Sequence, residues 1–143
     1  MVKPRAVLDS SVVVSGIGWR GGDARKVLNL LALRGFQSYR TAWLTEEWAE
    51  TVQHVAENEL RWKNQNWPGW LDWLKRASKL HDAIPLRKTV KRDPNDDPVI
   101  MSALAAQVQF IVTTDNDLLD LGKPYGVACI TPREFLATLL RQA

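Results

Sequence analysis

A chain of 143 residues, 45% hydrophobic and 24% charged, has the size and make-up of one domain that buries its own core without cross-links. Its lone Cys129 has no partner for an internal bridge, and nothing approaches the run of about 18 apolar residues that spans a bilayer. A net charge of +3 suits a polyanionic partner no better than an ordinary solvated basic surface. The first residues run straight into a short apolar segment without the long apolar stretch and cleavage site of a secretory signal, so the expectation is a cytoplasmic protein, free of membranes, with one domain over residues 1–143.

In chain order, Ala6-Val7-Leu8 is an apolar run closing on Asp9-Ser10-Ser11, the pattern of a buried strand that ends in a polar turn. Val12-Val13-Val14 is ambiguous: β-branching favours a strand, whereas Ser10 or Ser11 suits a helix cap. A loop is expected over Gly16–Gly22, then a helix capped by Asp23, carrying Val27, Leu28, Leu30, Leu31 and Leu33, and stopped by Gly35. Phe36–Tyr39 alternates like a short strand. The next helix, from Thr41–Thr45 to the polar residues Asn64–Asn66, aligns Leu44, Trp48, Thr51, Val52 and Val55 on one face. Pro68 opens a further helix bearing Trp70, Leu71, Trp73, Leu74 and Leu80.

Ile84-Pro85-Leu86 reads as an edge strand, and Asp93–Asp97 as a turn and cap before a small-residue helix over Val99–Ala106. Phe110–Thr113 is the clearest strand and runs toward Asp115. Val127–Ile130 is the last strand, followed by Thr131-Pro132-Arg133-Glu134, a capping box with proline at the first helical position. Strands separated by helices imply an α/β fold whose short, mostly parallel sheet is covered on both faces.

The acids are the informative residues. Asp9 and Asp115 each follow a hydrophobic strand, and in open α/β sheets the strand C-terminal edge is where ligands bind. Asp97 opens the helix that precedes the Asp115 strand, and Glu47 lies in the first turns of its helix. Carboxylates converging in one cleft repel one another unless some are protonated or a cation sits among them. An all-oxygen set favours Mg²⁺ or Mn²⁺ over zinc, since His54, His81 and Cys129 stand apart. The chemistry implied is metal-assisted phosphodiester hydrolysis. Arg87, Lys88, Lys91 and Arg92 would supply a basic rim that attracts phosphate. Taken alone, Asp9 reads equally well as a cap or turn residue, Asp93, Asn95 and Asp96 read better as turn-formers and caps than as ligands, and Glu47 reads as a solvated helix acid.

Five segments together resemble the PIN-domain nucleases. Val7-Leu8-Asp9-Ser10-Ser11-Val12 is similar to the family's Val-Leu-Asp-Thr-Asn-Val opening, and Leu44–Trp48 to its Glu-Glu-Leu segment, whose second Glu matches Glu47. Arg92–Asp97 resembles an Arg-Asp-Pro-x-Asp-Asp helix start, Ile111–Leu119 a Val-Thr-x-Asp-x-Asp-Leu-Leu segment, and Ile130–Leu136 the closing strand and helix. The resemblance covers Val7 to Leu140 and implies a three-layer α/β/α sandwich. It further implies a Mg²⁺- or Mn²⁺-dependent endoribonuclease, of the subgroup labelled as toxins of bacterial toxin–antitoxin pairs. Such a protein is neutralised by a small antitoxin and forms a homodimer or higher oligomer. By position, Asp9, Asp97 and Asp115 would bind metal, Glu47 would act through water, and Asp117 would be an outer ligand or the cap of the Leu118-Leu119 turn. Thr113 would orient Asp115 or a phosphate. Ser11 departs from the family's usual Asn, which weakens the expected support of the first acid.

Two other classes compete. A catalytically weak or silent PIN-like binding module would keep the fold without the chemistry. An aspartyl-nucleophile phosphotransferase would need an acid two residues after Asp9, where Ser11 stands. Trp62, Trp67, Trp70 and Trp73 crowd one region; helical spacing favours core packing of Trp70 and Trp73, with a docking groove for an antitoxin or second protomer, or RNA stacking, as alternatives.

Overall fold

The computed structural model describes residues 2–81 and 97–142. The expected edge strand at Ile84–Leu86, the basic group Arg87, Lys88, Lys91 and Arg92, and Asp93, Asn95 and Asp96 lie outside the described residues. In order, the elements are β1 (Arg5–Leu8), α1 (Ser10–Gly18), α2 (Asp23–Ala32), β2 (Gln37–Arg40), α3 (Ala42–Asn58), α4 (Trp67–Ala77) and β3 (Ser78–Leu80). Then come α5 (Pro98–Ala105), β4 (Phe110–Val112), α6 (Asn116–Leu121), β5 (Ala128–Ile130) and α7 (Pro132–Gln142), with single 3-10 turns at Leu60–Trp62 and Pro124–Gly126.

The described strands form one sheet in the order β3-β2-β1-β4-β5, with every pairing parallel. Each crossover carries a helix, as parallel connections require. Helices flank the sheet, α2 packing on α7 and α3 on both α4 and α5, which gives the three-layer α/β/α arrangement. The chain steps outward from β1 to β2 and β3, then returns across β1 to β4 and β5. The reversal leaves a crevice at the C-terminal ends of β1 and β4. Pairing of Leu8 with Val112 brings those two ends level, and the Asp9 amide extends the ladder by donating to the Val112 carbonyl at 3.0 Å.

The core runs through the sheet. Val7, Leu8, Ile111 and Val112 are fully buried, and Phe135 of α7 meets Phe36 and Phe110 edge-on, with centroids 4.9 and 5.5 Å apart. Val12, Val13 and Ile17 are buried as one face of α1, which resolves the Val12–Val14 ambiguity in favour of helix and shortens the expected Gly16–Gly22 loop to Trp19–Gly22. Gly16 and Gly18 permit this packing: a Cβ on Gly18 would sit 2.7 Å from the Trp62 ring. Arg25 of α2 donates to the carbonyls of Gly16 and Ile17 at the end of α1, and its guanidinium lies over the Trp70 ring at 4.4 Å from the centroid.

Several boundaries differ from the sequence reading. Gly22, not Asp23, is the N-cap of α2, and Asp23 sits in the first turn. The third helix stops at Asn58 rather than near Asn64, because Glu59 turns extended before the 3-10 turn. Leu80 belongs to β3, not to α4: Ser78–Leu80 pairs with Ser38–Arg40, and the Ser78 and Ser38 hydroxyls meet at 2.7 Å in the interior. The Thr131–Glu134 capping box forms as expected, with the Glu134 amide donating to the Thr131 hydroxyl and the Thr131 amide to the Glu134 carboxylate. Among the described residues no helix is long and apolar enough to cross a membrane.

Candidate active site

Asp9 leaves β1 at the crevice and is only 7% exposed. It stands at the N-cap position of α1, yet its side chain makes no capping hydrogen bond. The carboxylate is held from elsewhere: the Ser11 hydroxyl donates to its Oδ2 at 3.0 Å and the Thr113 hydroxyl to the same oxygen at 2.7 Å. Burial pushes the Asp9 carboxyl up from its ordinary range. The two hydroxyls and the nearby Ser10 amide pull it back toward the charged form, and the neighbouring Asp115 charge pushes it up further. A buried carboxylate under that strain gains more from a bound cation than a solvated one does.

Both hydroxyls are themselves positioned. Ser11 Oγ accepts the Thr114 amide at 3.1 Å, and Thr113 Oγ1 accepts the Asp115 amide at 3.0 Å. A hydroxyl can donate once and accept at the same time, so each links Asp9 to the backbone beyond β4. Ser11, expected to give weaker support than the usual Asn, here both holds the acid and anchors the facing loop. Thr113 is fully buried and is the bridge between Asp9 and Asp115, a role larger than its sequence context suggested.

Asp97 and Asp115 each cap a helix. Asp97 Oδ1 accepts the Val99 amide at 2.8 Å at the start of α5, and Asp115 Oδ1 accepts the Asp117 amide at 2.9 Å at the start of α6. Asp115, not Asp117, is therefore the cap of the Leu118-Leu119 turn; Asp117 lies in the first turn with an exposed side chain. The buried Cys129 thiol on β5 is pushed up to about 11, chiefly by desolvation, with the charges of Asp97 and Asp9 adding to it. Two carboxylates from distant parts of the chain thus act on one thiol.

Glu47 is half-buried on α3 and makes no hydrogen bond or ion pair among the described residues. Its neighbour does the positioning: Trp48 is fully buried, and its indole N–H donates to the Leu8 carbonyl at 2.7 Å, fastening α3 to the end of β1 one residue before Asp9. The Thr41 hydroxyl caps α3 and pairs with the Ser102 hydroxyl of α5 at 2.8 Å, joining the Glu47 helix to the Asp97 helix.

The structure joins Asp9 to Asp115 through Thr113 and brings Asp97 within electrostatic reach of the same thiol as Asp9. It does not assemble a closed cage: among the described residues, no group of three or more His, Cys, Asp or Glu side chains is close enough to share an ion. The donors nonetheless suit a hard cation. Mg²⁺ is commonly held by one or two carboxylates, the remaining positions going to water and substrate phosphate. Asp9 with Asp115 meets that minimum, and the Asp97 charge acts on the same Cys129 thiol as Asp9.

Trp70 and Trp73 pack against the core, as their helical spacing favoured. Trp62 is 3% exposed and packs against Gly18. Trp67, Trp70 and Trp73 are partly buried against the core, Trp70 and Trp73 meeting edge-on at 5.8 Å. The more open indoles are Trp19 and Trp43, which the sequence did not single out.

No curated protein and no solved structure matches the chain. A family model described as PIN domain matches residues 5–117, from the start of β1 through Asp9, Glu47, Asp97, Asp115 and Asp117. PIN domains are in general nucleases and typically use divalent metals. With most of its length matched and its strand-end acids at the switch point of a parallel sheet, this chain belongs to the PIN domain family.

Proposed function

We propose that the chain is a Mg²⁺- or Mn²⁺-dependent endoribonuclease. In this reading Asp9, Asp97 and Asp115 hold the ion, Glu47 meets it through water or holds the attacking water, and Asp117 is an outer ligand. The observation that carries it is the state of Asp9: a buried carboxylate at the switch point, uncommitted to its own helix, held by two hydroxyls and beside the Asp115 charge. A bound divalent ion would lower the pKa of a coordinated water and offset charge on the phosphate. The protein's part is to orient Asp9 and offset part of the cost of its burial through Ser11 and Thr113, and to fix the Asp97 and Asp115 carboxylates by their helix caps.

The resemblance to the toxin subgroup extends the proposal to a toxin neutralised by a small antitoxin, and to a homodimer or higher oligomer. A surface suited to a partner helix supports it. A cavity of about 370 Å³ with Leu28, Ala32, Trp70 and Trp73 in its wall adjoins one of about 470 Å³ that carries Lys3, Arg34 and Arg76. The lack of a preassembled group of three acids among the described residues favours one alternative, a catalytically silent PIN module. Incubating purified protein with single-stranded RNA in Mg²⁺, Mn²⁺ or EDTA separates the two. Cleavage that EDTA abolishes supports the enzyme; intact RNA under every condition supports the silent module.

A further inference from the structure

A second cleft opens beside the acids. It has a volume of about 400 Å³ and is lined in part by Ser15, Trp19, Asp23, Thr114, Pro132 and Arg133. We propose that it is a subsite for one unpaired RNA nucleotide next to the scissile phosphate, with the base stacking on Trp19 and a flanking phosphate meeting Arg133. The proposal rests on the ribonuclease reading of the adjoining site and names how the substrate is seated there.

Continuity comes first. Thr114 lies between Thr113, whose hydroxyl holds Asp9, and Asp115, and its own amide is bonded to Ser11. A ligand against Thr114 therefore lies next to Asp115 in the chain and is linked to Asp9 through the Ser11 hydroxyl.

The wall chemistry is that of a stacking platform with a cationic edge. Trp19 is 41% exposed in the loop after α1, where the core gives no reason for so large an apolar ring. Arg61 lies against it, with the guanidinium 5.0 Å from the ring centroid, which steadies the ring and adds a positive charge. Pro132 and Ala24 extend the apolar surface. Arg133 is exposed and makes no ion pair among the described residues, and it stands in the first turn of α7, where the helix dipole also favours an anion.

Two other carboxylates beside the cleft have partners of their own. Asp23 pairs with Lys26 at 3.7 Å, and Glu134 accepts from the Thr131 hydroxyl at 2.9 Å. Ser15 and Thr114 line the wall, and a hydroxyl side chain is the kind of group that meets a ribose 2′-OH. An aromatic face, an arginine without an ion pair among the described residues, and hydroxyl-bearing side chains beside the proposed cleavage site fit a single-stranded nucleotide better than a protein side chain.

The test measures binding of a labelled, unstructured RNA oligonucleotide by fluorescence anisotropy. Asp97→Asn serves as background to prevent cleavage, and wild-type cleavage is followed in parallel. Trp19→Ala is expected to weaken binding roughly tenfold or more, with Trp19→Phe in between. The same oligonucleotide paired into a duplex, whose bases are unavailable, is expected to be insensitive to Trp19. Arg133→Ala is expected to weaken binding and to lower the salt dependence by about one phosphate contact.

If Trp19→Ala and Arg133→Ala both bind the single strand like the background protein, or if that protein binds no RNA, the subsite is wrong. Trp19-dependent binding without cleavage by the wild type would overturn the ribonuclease reading and leave the subsite standing. Trp19-independent binding with cleavage would do the reverse. Should Trp19→Ala fail to fold, Trp19→Phe and Arg133→Ala decide the matter.

Discussion

Replacing Trp48 by Phe probes how the fold holds the site. Trp48 is fully buried on α3, and its indole N–H reaches the Leu8 carbonyl at 2.7 Å. Phe keeps an aromatic ring but loses the donor and the second ring. The lost hydrogen bond leaves a buried carbonyl short of a partner, costing about 1–3 kcal/mol. The vacated volume adds roughly 1–2 kcal/mol, less than the 3–5 typical of complete truncation. A total of about 2–5 kcal/mol is a large share of the roughly 5–15 kcal/mol that stabilises a domain. At about 2–4 °C per kcal/mol for a chain of this length, the melting temperature should fall by on the order of 10 °C. Because the bond ends one residue before Asp9 and one after Glu47, the variant that remains folded should also bind divalent metal more weakly. Thermal and urea unfolding measure the first effect and calorimetric titration with Mn²⁺ the second. A midpoint within about 0.5 kcal/mol of wild type would refute the view that this bond fastens α3 to the sheet.

Two further outcomes follow from the same geometry. Burial raises the Asp9 carboxyl above its unfolded value, so in EDTA its protonated form favours folding at low pH, and that contribution is lost as pH rises through the folded pKa. Asp9→Asn should therefore match or exceed wild-type stability in EDTA at neutral pH. It should lack the stabilisation of about 2.7 kcal/mol that a hundredfold excess of metal over Kd gives the wild type; melting curves with and without Mn²⁺ that are equal for both proteins would contradict this. Gly18→Ala places a Cβ 2.7 Å from Trp62, so it should cost about 1–3 kcal/mol by overpacking. The penalty should shrink in a Trp62→Phe background, and a double-mutant cycle showing simple additivity would count against the contact.

The parts of the fold that were legible in sequence are those where local pattern and tertiary role coincide. Val7-Leu8 and Ile111-Val112 are apolar runs that end at acids, and they form the two central strands flanking the crevice. The Thr131–Glu134 box is a local device and reads directly. β3 was not legible, because Ser78-Lys79-Leu80 has no apolar run; its strand character comes from pairing with β2 and from a hydroxyl contact 40 residues away. Val12–Val14 carried two conflicting signals, which burial of Val12, Val13 and Ile17 along one helical face decides.

The site divides in the same way. Asp9 and Asp115 announced themselves by position, whereas the hydroxyl that links them bridges 104 residues and leaves no local pattern. Trp48 read as part of an apolar stripe. The signal that might have exposed its second task is that a buried indole N–H needs an acceptor. Trp19 carries no local signal, since an isolated loop indole has no periodic neighbours to assign it to core or surface.

Whether the strand-end acids cut RNA with a divalent ion is decided by Asp97→Asn. Asn caps a helix as well as Asp does, so α5 should keep its start and the fold its stability. With Mn²⁺ present, the wild type should cleave single-stranded RNA, EDTA should stop it, and Asp97→Asn, with an unchanged melting curve, should show no cleavage. An Asp97→Asn protein that cuts RNA at the wild-type rate under those conditions would contradict the account.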